Sequence, residues 1–225
     1  MINRNEVARE KMQRALEMLR ERQIDMWVFY ARLKTDTALE LMFNTDTKNE
    51  VLFVLTKSGE RIVIAVPEDA PGYAQSALYT RVITAQGAGF MSEFKKLFDE
   101  FQVESLALND STDDTRCDGL TLGLYKKLTK AVGAETMARV KRCSYEMLEE
   151  LRAVKTPSEI AIMRECSRIT TDIYDALFKR IHVGLSEVGV AKIMMEECEK
   201  RNVVTAFGNP PEYPLVLNPK GGMSH

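Results

Sequence analysis

Between Glu6 and Gln23 apolar residues return every three or four positions. Ala8, Met12, Ala15 and Leu19, widened by Leu16, make one stripe while Arg and Glu fill the rest, which predicts an amphipathic helix. Asp25-Met-Trp-Val-Phe-Tyr30 is apolar without alternation, the pattern of a strand buried on both faces. Ala31–Asn49 has no clean period, and Thr37–Phe43 fits either a short helix or an irregular crossing. Glu50–Thr56 and Glu60–Val66 are β-rich runs joined through Lys57-Ser-Gly59, a hairpin signature. Pro67–Ala77 begins as a loop and turns helical, Thr80–Ala85 reads as a short strand, and Gly87-Ala-Gly89 as a loop. Met91–Gln102 is a second amphipathic helix, with Phe94, Leu97, Phe98 and Phe101 on one face. Val103–Leu108 returns as a strand. Asn109–Asp118 is an acidic loop, Leu120–Lys130 a helix, and Met137–Cys143 a strand or extended connector.

This order predicts an α/β domain over residues 1–143, a mixed sheet flanked by helices. Residues 144–156 read as a linker, ending in a strong helix start. Thr156 is placed as N-cap, Pro157 takes the first helical position, and Glu159 completes a capping box. Ile162, Cys166, Ile169, Ile173 and Leu177 then form the stripe of a helix over 158–180. Gly184 is placed to end it and Ser186 to cap the next, Glu187–Asn202, whose stripe is Val190/Ala191, Met194 and Cys198. A Pro-broken stretch, Phe207–Asn218, holds one short strand, and Pro219–His225 follows. Two helices and one strand make a poor independent core. Residues 157–225 are therefore expected to be an incomplete α+β domain with exposed apolar helix faces.

Composition narrows the classes. Apolar residues at 45% and charged residues at 28% are ordinary for a globular protein. A net charge of −2 gives no electrostatic case for nucleic acid or an anionic membrane. No apolar run approaches the roughly 18 residues that span a bilayer. The charged stretch Met1–Lys11 carries no signal-peptide pattern, so a cytoplasmic location is expected. Cys117, Cys143, Cys166 and Cys198 lack C-x-x-C spacing and read as reduced, mostly buried thiols. Asp110, Thr112 and Asp114 have calcium-loop spacing, but Thr115 and Thr121 stand where Gly and Glu are needed. Gly87 and Gly89 lack a third glycine, Ser92 holding that place, so no dinucleotide fingerprint forms. Trp27 reads as core, and His182, in the turn before Gly184, as a capping or solvent-facing group.

Glu150-Leu-Arg-Ala-Val-Lys-Thr-Pro-Ser-Glu-Ile-Ala-Ile-Met-Arg164 resembles the entry to the catalytic domain of the creatinase/prolidase/aminopeptidase P superfamily, the pita-bread metallohydrolases. Gly184-Leu-Ser-Glu187 and the stretch Tyr213-Pro-Leu-Val to His225 match later segments in the same order. The resemblance implies a creatinase/prolidase-type N-terminal domain and the start of a pita-bread catalytic domain. It implies cleavage of an Xaa-Pro peptide bond by two divalent metal ions, such as Mn or Co, in a homodimer. It places His225 as the substrate-side histidine. The two Asp, one His and two Glu that bind metal in that family all lie beyond this position, so no metal ligand is expected in this chain. Hydrolysis by the chain alone is expected to fail. Its remaining roles would be capping the active site and contributing to the dimer contact. Arg32–Asn49 departs from the family's Tyr-Leu-Thr-Gly wording, which leaves a small C–N substrate of the creatinase kind open beside a proline-containing peptide. A non-enzymatic peptide- or protein-binding module of the same ancestry is the alternative.

Overall fold

The computed structural model describes residues 4–45, 47–206, 212–218 and 222–224. The chain divides into two compact units, Met1–Glu159 and Ile160–His225.

The first unit is built on one six-stranded mixed sheet. Its strands are β1 (Met26–Ala31), β2 (Val51–Thr56), β3 (Arg61–Ala65), β4 (Arg81–Thr84), β5 (Leu106–Leu108) and β6 (Lys141–Cys143), in the order β4-β3-β2-β1-β5-β6. β1 pairs antiparallel with β2 and parallel with β5, which in turn runs parallel to β6. Every residue of β1 and β2 is buried. Alternate side chains leave a strand on opposite faces, so a strand covered on both sides must be apolar throughout. Trp27, Phe29, Val51 and Phe53 enter one core, and Met26, Val28, Leu52 and Val54 the other. Full burial of each large apolar side chain contributes about 1.5–3 kcal/mol. The hairpin closes at Gly59, whose φ of +106° a side chain would strain.

Helices supply the covers. The first core receives α1 (Arg4–Glu21), α2 (Ala38–Phe43) and Ala70 of α3 (Ala70–Gln75). The second receives Phe90, Phe94, Leu97 and Phe98 of α4 (Gly89–Glu100) and Leu124, Leu128 and Val132 of α5 (Leu122–Val132).

Two segments differ from the sequence reading. Met137–Cys143 is not extended throughout, because α6 (Ala134–Val140) precedes β6. Ala, Glu, Met and Arg favour the helix, and Met137 and Val140, three apart, both reach the second core. Residues 144–156 are not a bare linker. They hold α7 (Tyr145–Ala153), whose Met147, Leu148 and Leu151 are buried in the same core as α1. Their helical spacing builds a packed face, and the first compact unit continues to Glu159.

α8 (Pro157–Phe178) starts in the first unit and runs into the second. The second unit adds α9 (Glu187–Lys200) and the antiparallel pair β7 (Val216–Asn218) and β8 (Gly222–Ser224), the latter not expected from sequence. Of the predicted stripe on α8, only Ile173 and Leu177 are buried. Met163, Tyr174 and Phe178, beside that stripe, are exposed, so α8 carries an open apolar face, whereas the face expected to be open on α9 is largely covered, with Ala191, Ile193 and Cys198 buried. The cysteines are all free, but Cys143 and Cys166 are exposed and only Cys117 and Cys198 are buried. Half, rather than most, are covered: Cys143 lies on edge strand β6, and Cys166 on the uncovered part of α8.

Candidate functional site

Three adjacent parallel strands, β1, β5 and β6, run toward one edge of the sheet and end at Ala31, Leu108 and Cys143. In open sheets the crevice beyond such carboxyl ends is the usual ligand position. Here buried polar groups fill it. Asn109, just after β5, accepts through Oδ1 from Trp27 Nε1 at 2.9 Å and Ser144 Oγ at 2.5 Å. Its Nδ2 donates to Asp36 Oδ2 at 2.8 Å, while Asp36 Oδ1 accepts from the Ala38 N–H at 2.9 Å. Gly119 backs directly onto the Asp36 carboxyl group. Burial raises the Asp36 carboxyl above the usual aspartate value, against the lowering effect of Ala38, Asn109 and the nearby Arg152. Arg152 donates to Thr37 Oγ1 at 3.4 Å and to Arg116 O at 3.2 Å. A sealed carboxyl group of this kind meets no substrate; it positions the loop around it.

That loop is strained. Leu33 and Lys34 both take left-handed backbone, at φ 52° and 60°. Such geometry costs a non-glycine residue roughly 1–2 kcal/mol and persists only where the surroundings impose it. Their N–H groups donate to Lys48 O and Thr47 O, each at 3.1 Å, and Leu33 is 72% exposed. Next to this loop lies a cleft of about 820 Å³, lined in part by Phe43, Asn49, Asp69, Tyr73 and Tyr79. Asp69 Oδ2 accepts from Thr47 Oγ1 and Asn49 Nδ2 at 3.3 and 3.1 Å. Among the described residues the buried Tyr79 hydroxyl has no hydrogen-bond partner.

A second constellation joins α1 to the start of α8 within the first unit. Lys11, fully buried, places Nζ 2.8 Å from Glu159 Oε2 and donates to Val154 O at 3.1 Å and to Leu151 O. The last two are carbonyls at the end of α7, where a cation is favoured. Glu159 accepts from Thr156 N–H at 2.7 Å, and Thr156 Oγ1 accepts from Glu159 N–H at 3.3 Å. The predicted capping box is formed. Glu10 adds two contacts to Ser158, at 3.0 and 3.2 Å.

Other sites inferred from sequence fall apart or lie elsewhere. His225 lies outside the described residues, as do 207–211 and 219–221. His182 is exposed, with Nδ1 3.0 Å from Val183 O. Asp110 pairs with Lys141, and Asp114 with Arg116 at 2.8 Å, so the acidic loop spends its charge on nearby cations. Among the described residues no group of three or more His, Cys, Asp or Glu side chains could hold a metal ion. They do not fit a dinuclear centre. Sequence reasoning missed Lys11, Asp36 and Asn109. Lys11 had a signal, since it falls among Ala8, Met12 and Ala15 on the apolar stripe; Asn109 had none.

No family model matches the chain, and no curated protein matches its sequence. Solved structures do match. The Xaa-Pro dipeptidase from Bacillus anthracis superposes with a TM-score of 0.60 at 21% identity, covering 86% of this chain and 49% of that one. This chain has the prolidase-type fold. The X-Pro aminopeptidase from Thermotoga maritima MSB8 gives 0.58 at 16% identity, covering 84% of this chain and 49% of that one. Aminopeptidase P from Streptococcus thermophilus gives 0.50 at 12% identity, covering 64% of this chain and 98% of that one. The chain thus spans about half the length of the first two relatives, their N-terminal half. Within the prolidase-type fold the mixed sheet and flanking helices expected from sequence are present. No helix among the described residues is long and apolar enough to cross a membrane.

Proposed function

We propose that this chain is the N-terminal part of a metal-dependent Xaa-Pro peptidase. In that protein it supplies a domain that caps the active site and contributes to a homodimer contact. The observation carrying this reading is the fold likeness to Xaa-Pro peptidases, spread over 84% and 86% of the chain in the first two matches. The two metal ions and the hydrolytic step belong to residues outside this chain, which alone is inactive. The substrate is a proline-containing peptide, and the protein works in the cytoplasm. The strained loop at Leu33 and Lys34, exposed beyond the carboxyl ends of the parallel strands, is the part of the first unit best placed to meet another surface.

The test starts from the intact mass of the protein in its source cells. A polypeptide about twice this length, given that these relatives are half covered, is then assayed with Mn2+ or Co2+ against Xaa-Pro dipeptides. Proline-dependent cleavage by the long form, and none by residues 1–225, is the expected result. Cleavage of a small C–N substrate in place of Xaa-Pro bonds would transfer the protein to creatinase-like chemistry. Peptide binding without turnover would leave the non-enzymatic module.

A further inference from the structure

One-sided chemistry lines the cleft of about 820 Å³ beside the Leu33–Lys34 loop. The cleft lies wholly within the first unit, and small-molecule sites have volumes of roughly 300–1,000 Å³. Phe43, Tyr73 and Tyr79 form its aromatic lining. Tyr73 stands at 89° to Tyr79 and at 86° to the fully buried Phe53, with centroids 5.6 Å apart in both pairs. Phe43 stacks on Phe53 at 4.2 Å. The rings brace one another, so this wall is held in place by the fold itself. Tyr73 and Tyr79 are only half-buried.

Most donors of the polar lining are already engaged. Thr47 Oγ1 and Asn49 Nδ2 donate to Asp69 Oδ2 at 3.3 and 3.1 Å. Asn44 Nδ2 donates to Asn5 Oδ1 at 3.1 Å, and Ser76 Oγ to Tyr73 O at 2.7 Å. Acceptors are left over. Asp69 Oδ1, Asn49 Oδ1 and the Glu68 carboxylate have no donor among the described residues. The partnerless Tyr79 hydroxyl accepts as readily as it donates. Lys48 and Gln75 are the remaining lining donors, and both are exposed.

Two carboxylates against one lysine, acceptors in surplus and the negative faces of aromatic rings all favour a positive charge. An anion would meet Glu68 and Asp69 with Lys48 alone to offset them. An uncharged apolar ligand would cover the acceptors and leave them unpaired. We propose that this cleft binds a small organic cation, a protonated amine carried on an apolar body. The ammonium group donates to Asp69 Oδ1 and Asn49 Oδ1, and the body lies against Tyr73 and Tyr79. The site needs no metal, and failure of the peptidase reading would leave it untouched. Asp69 makes no side-chain cap bond to α3, so its charge can be removed without unseating that helix.

The experiment titrates the whole chain at neutral pH with three probes of similar size, followed by calorimetry and amide NMR. Phenethylamine carries the cation, 2-phenylethanol is its neutral counterpart, and phenylacetate its anionic one. The amine is expected to bind about tenfold more tightly than the alcohol, the ratio a partly desolvated cation–π contact supplies. NMR shifts should centre on Asn49, Asp69, Tyr73 and Tyr79. Asp69→Asn should remove the amine's advantage and leave the alcohol's affinity unchanged. The idea is overturned if amine and alcohol bind equally, if phenylacetate binds best, if the shifts fall outside the cleft, or if the amine does not bind. These wild-type outcomes do not depend on the variant folding.

Discussion

Lys11 Nζ sits 2.8 Å from Glu159 Oε2, and the lysine has no exposed surface. An ammonium group removed from water needs every proton engaged, and here Leu151 O and Val154 O complete the set. Lys11→Met would leave those carbonyls and the Glu159 charge without their partner. Breaking such a pair from one side costs about 3–5 kcal/mol, to be read from urea unfolding. In a double-mutant cycle with Glu159→Gln, a coupling energy above about 1 kcal/mol is expected; near-zero coupling would show that the two do not act together.

Gly119 is a steric requirement. A Cβ there would fall well inside van der Waals contact with the Asp36 carboxyl group and its Cβ. Asp36 cannot yield, since Ala38 N–H and Asn109 Nδ2 hold its two oxygens. Gly119→Ala should therefore cost about 2–3 kcal/mol by overpacking. Unchanged thermal stability would mean that the Asp36 contacts are loose.

Asn109→Ala would empty the centre of the same network. Trp27 Nε1, Ser144 Oγ and Asp36 Oδ2 would each lose a partner. At about 1–3 kcal/mol for each stranded buried group, less what water restores, a loss near 3 kcal/mol is expected. Calorimetric melting compares it with a control on the exposed part of the same loop, Thr112→Ala, which should be neutral. Equal melting of the two variants would dismiss the network as a source of stability.

Acid should loosen the second unit. Glu197 accepts from Lys200 at 2.6 Å, Arg201 at 2.7 Å and Arg180 at 3.2 Å. Lys200 first and Arg201 next hold its carboxyl down to about 2, against an ordinary 4.5. A folded-state value below the unfolded one gives stability that is full above pH 4.5 and lost as the pH falls through 2. Hydrogen exchange of α9 should rise over that window, and Glu197→Gln should flatten the dependence. A pH profile identical to wild type would remove Glu197 from the account.

The open face of α8 should associate. Phe178 is 66% exposed and lies beside Tyr174, their ring centroids 6.0 Å apart, and Met163 falls on the same side by helical period. Sedimentation velocity is expected to show concentration-dependent self-association, reduced by Met163→Glu with Phe178→Glu. A monodisperse monomer with α8 and α9 fully protected from exchange would contradict it.

Much of the local structure was legible because its causes are local. β1 had to be apolar throughout to be covered on both faces, and Thr156, Pro157 and Glu159 are near enough in the chain to start α8 by themselves. The hairpin at Gly59 and the stripe of α1 are set by the same short-range chemistry. Tertiary structure alone decided which remote groups share dry space. It turned 144–156 from connector into core helix, because Met147, Leu148 and Leu151 find α1. It made Lys11 an internal cation, placed Asn109 between Trp27 and Asp36, and brought Cys117 to Ser144. Periodicity records which side of an element is buried; it holds no record of the partner, because that partner is chosen by packing between segments far apart in the chain.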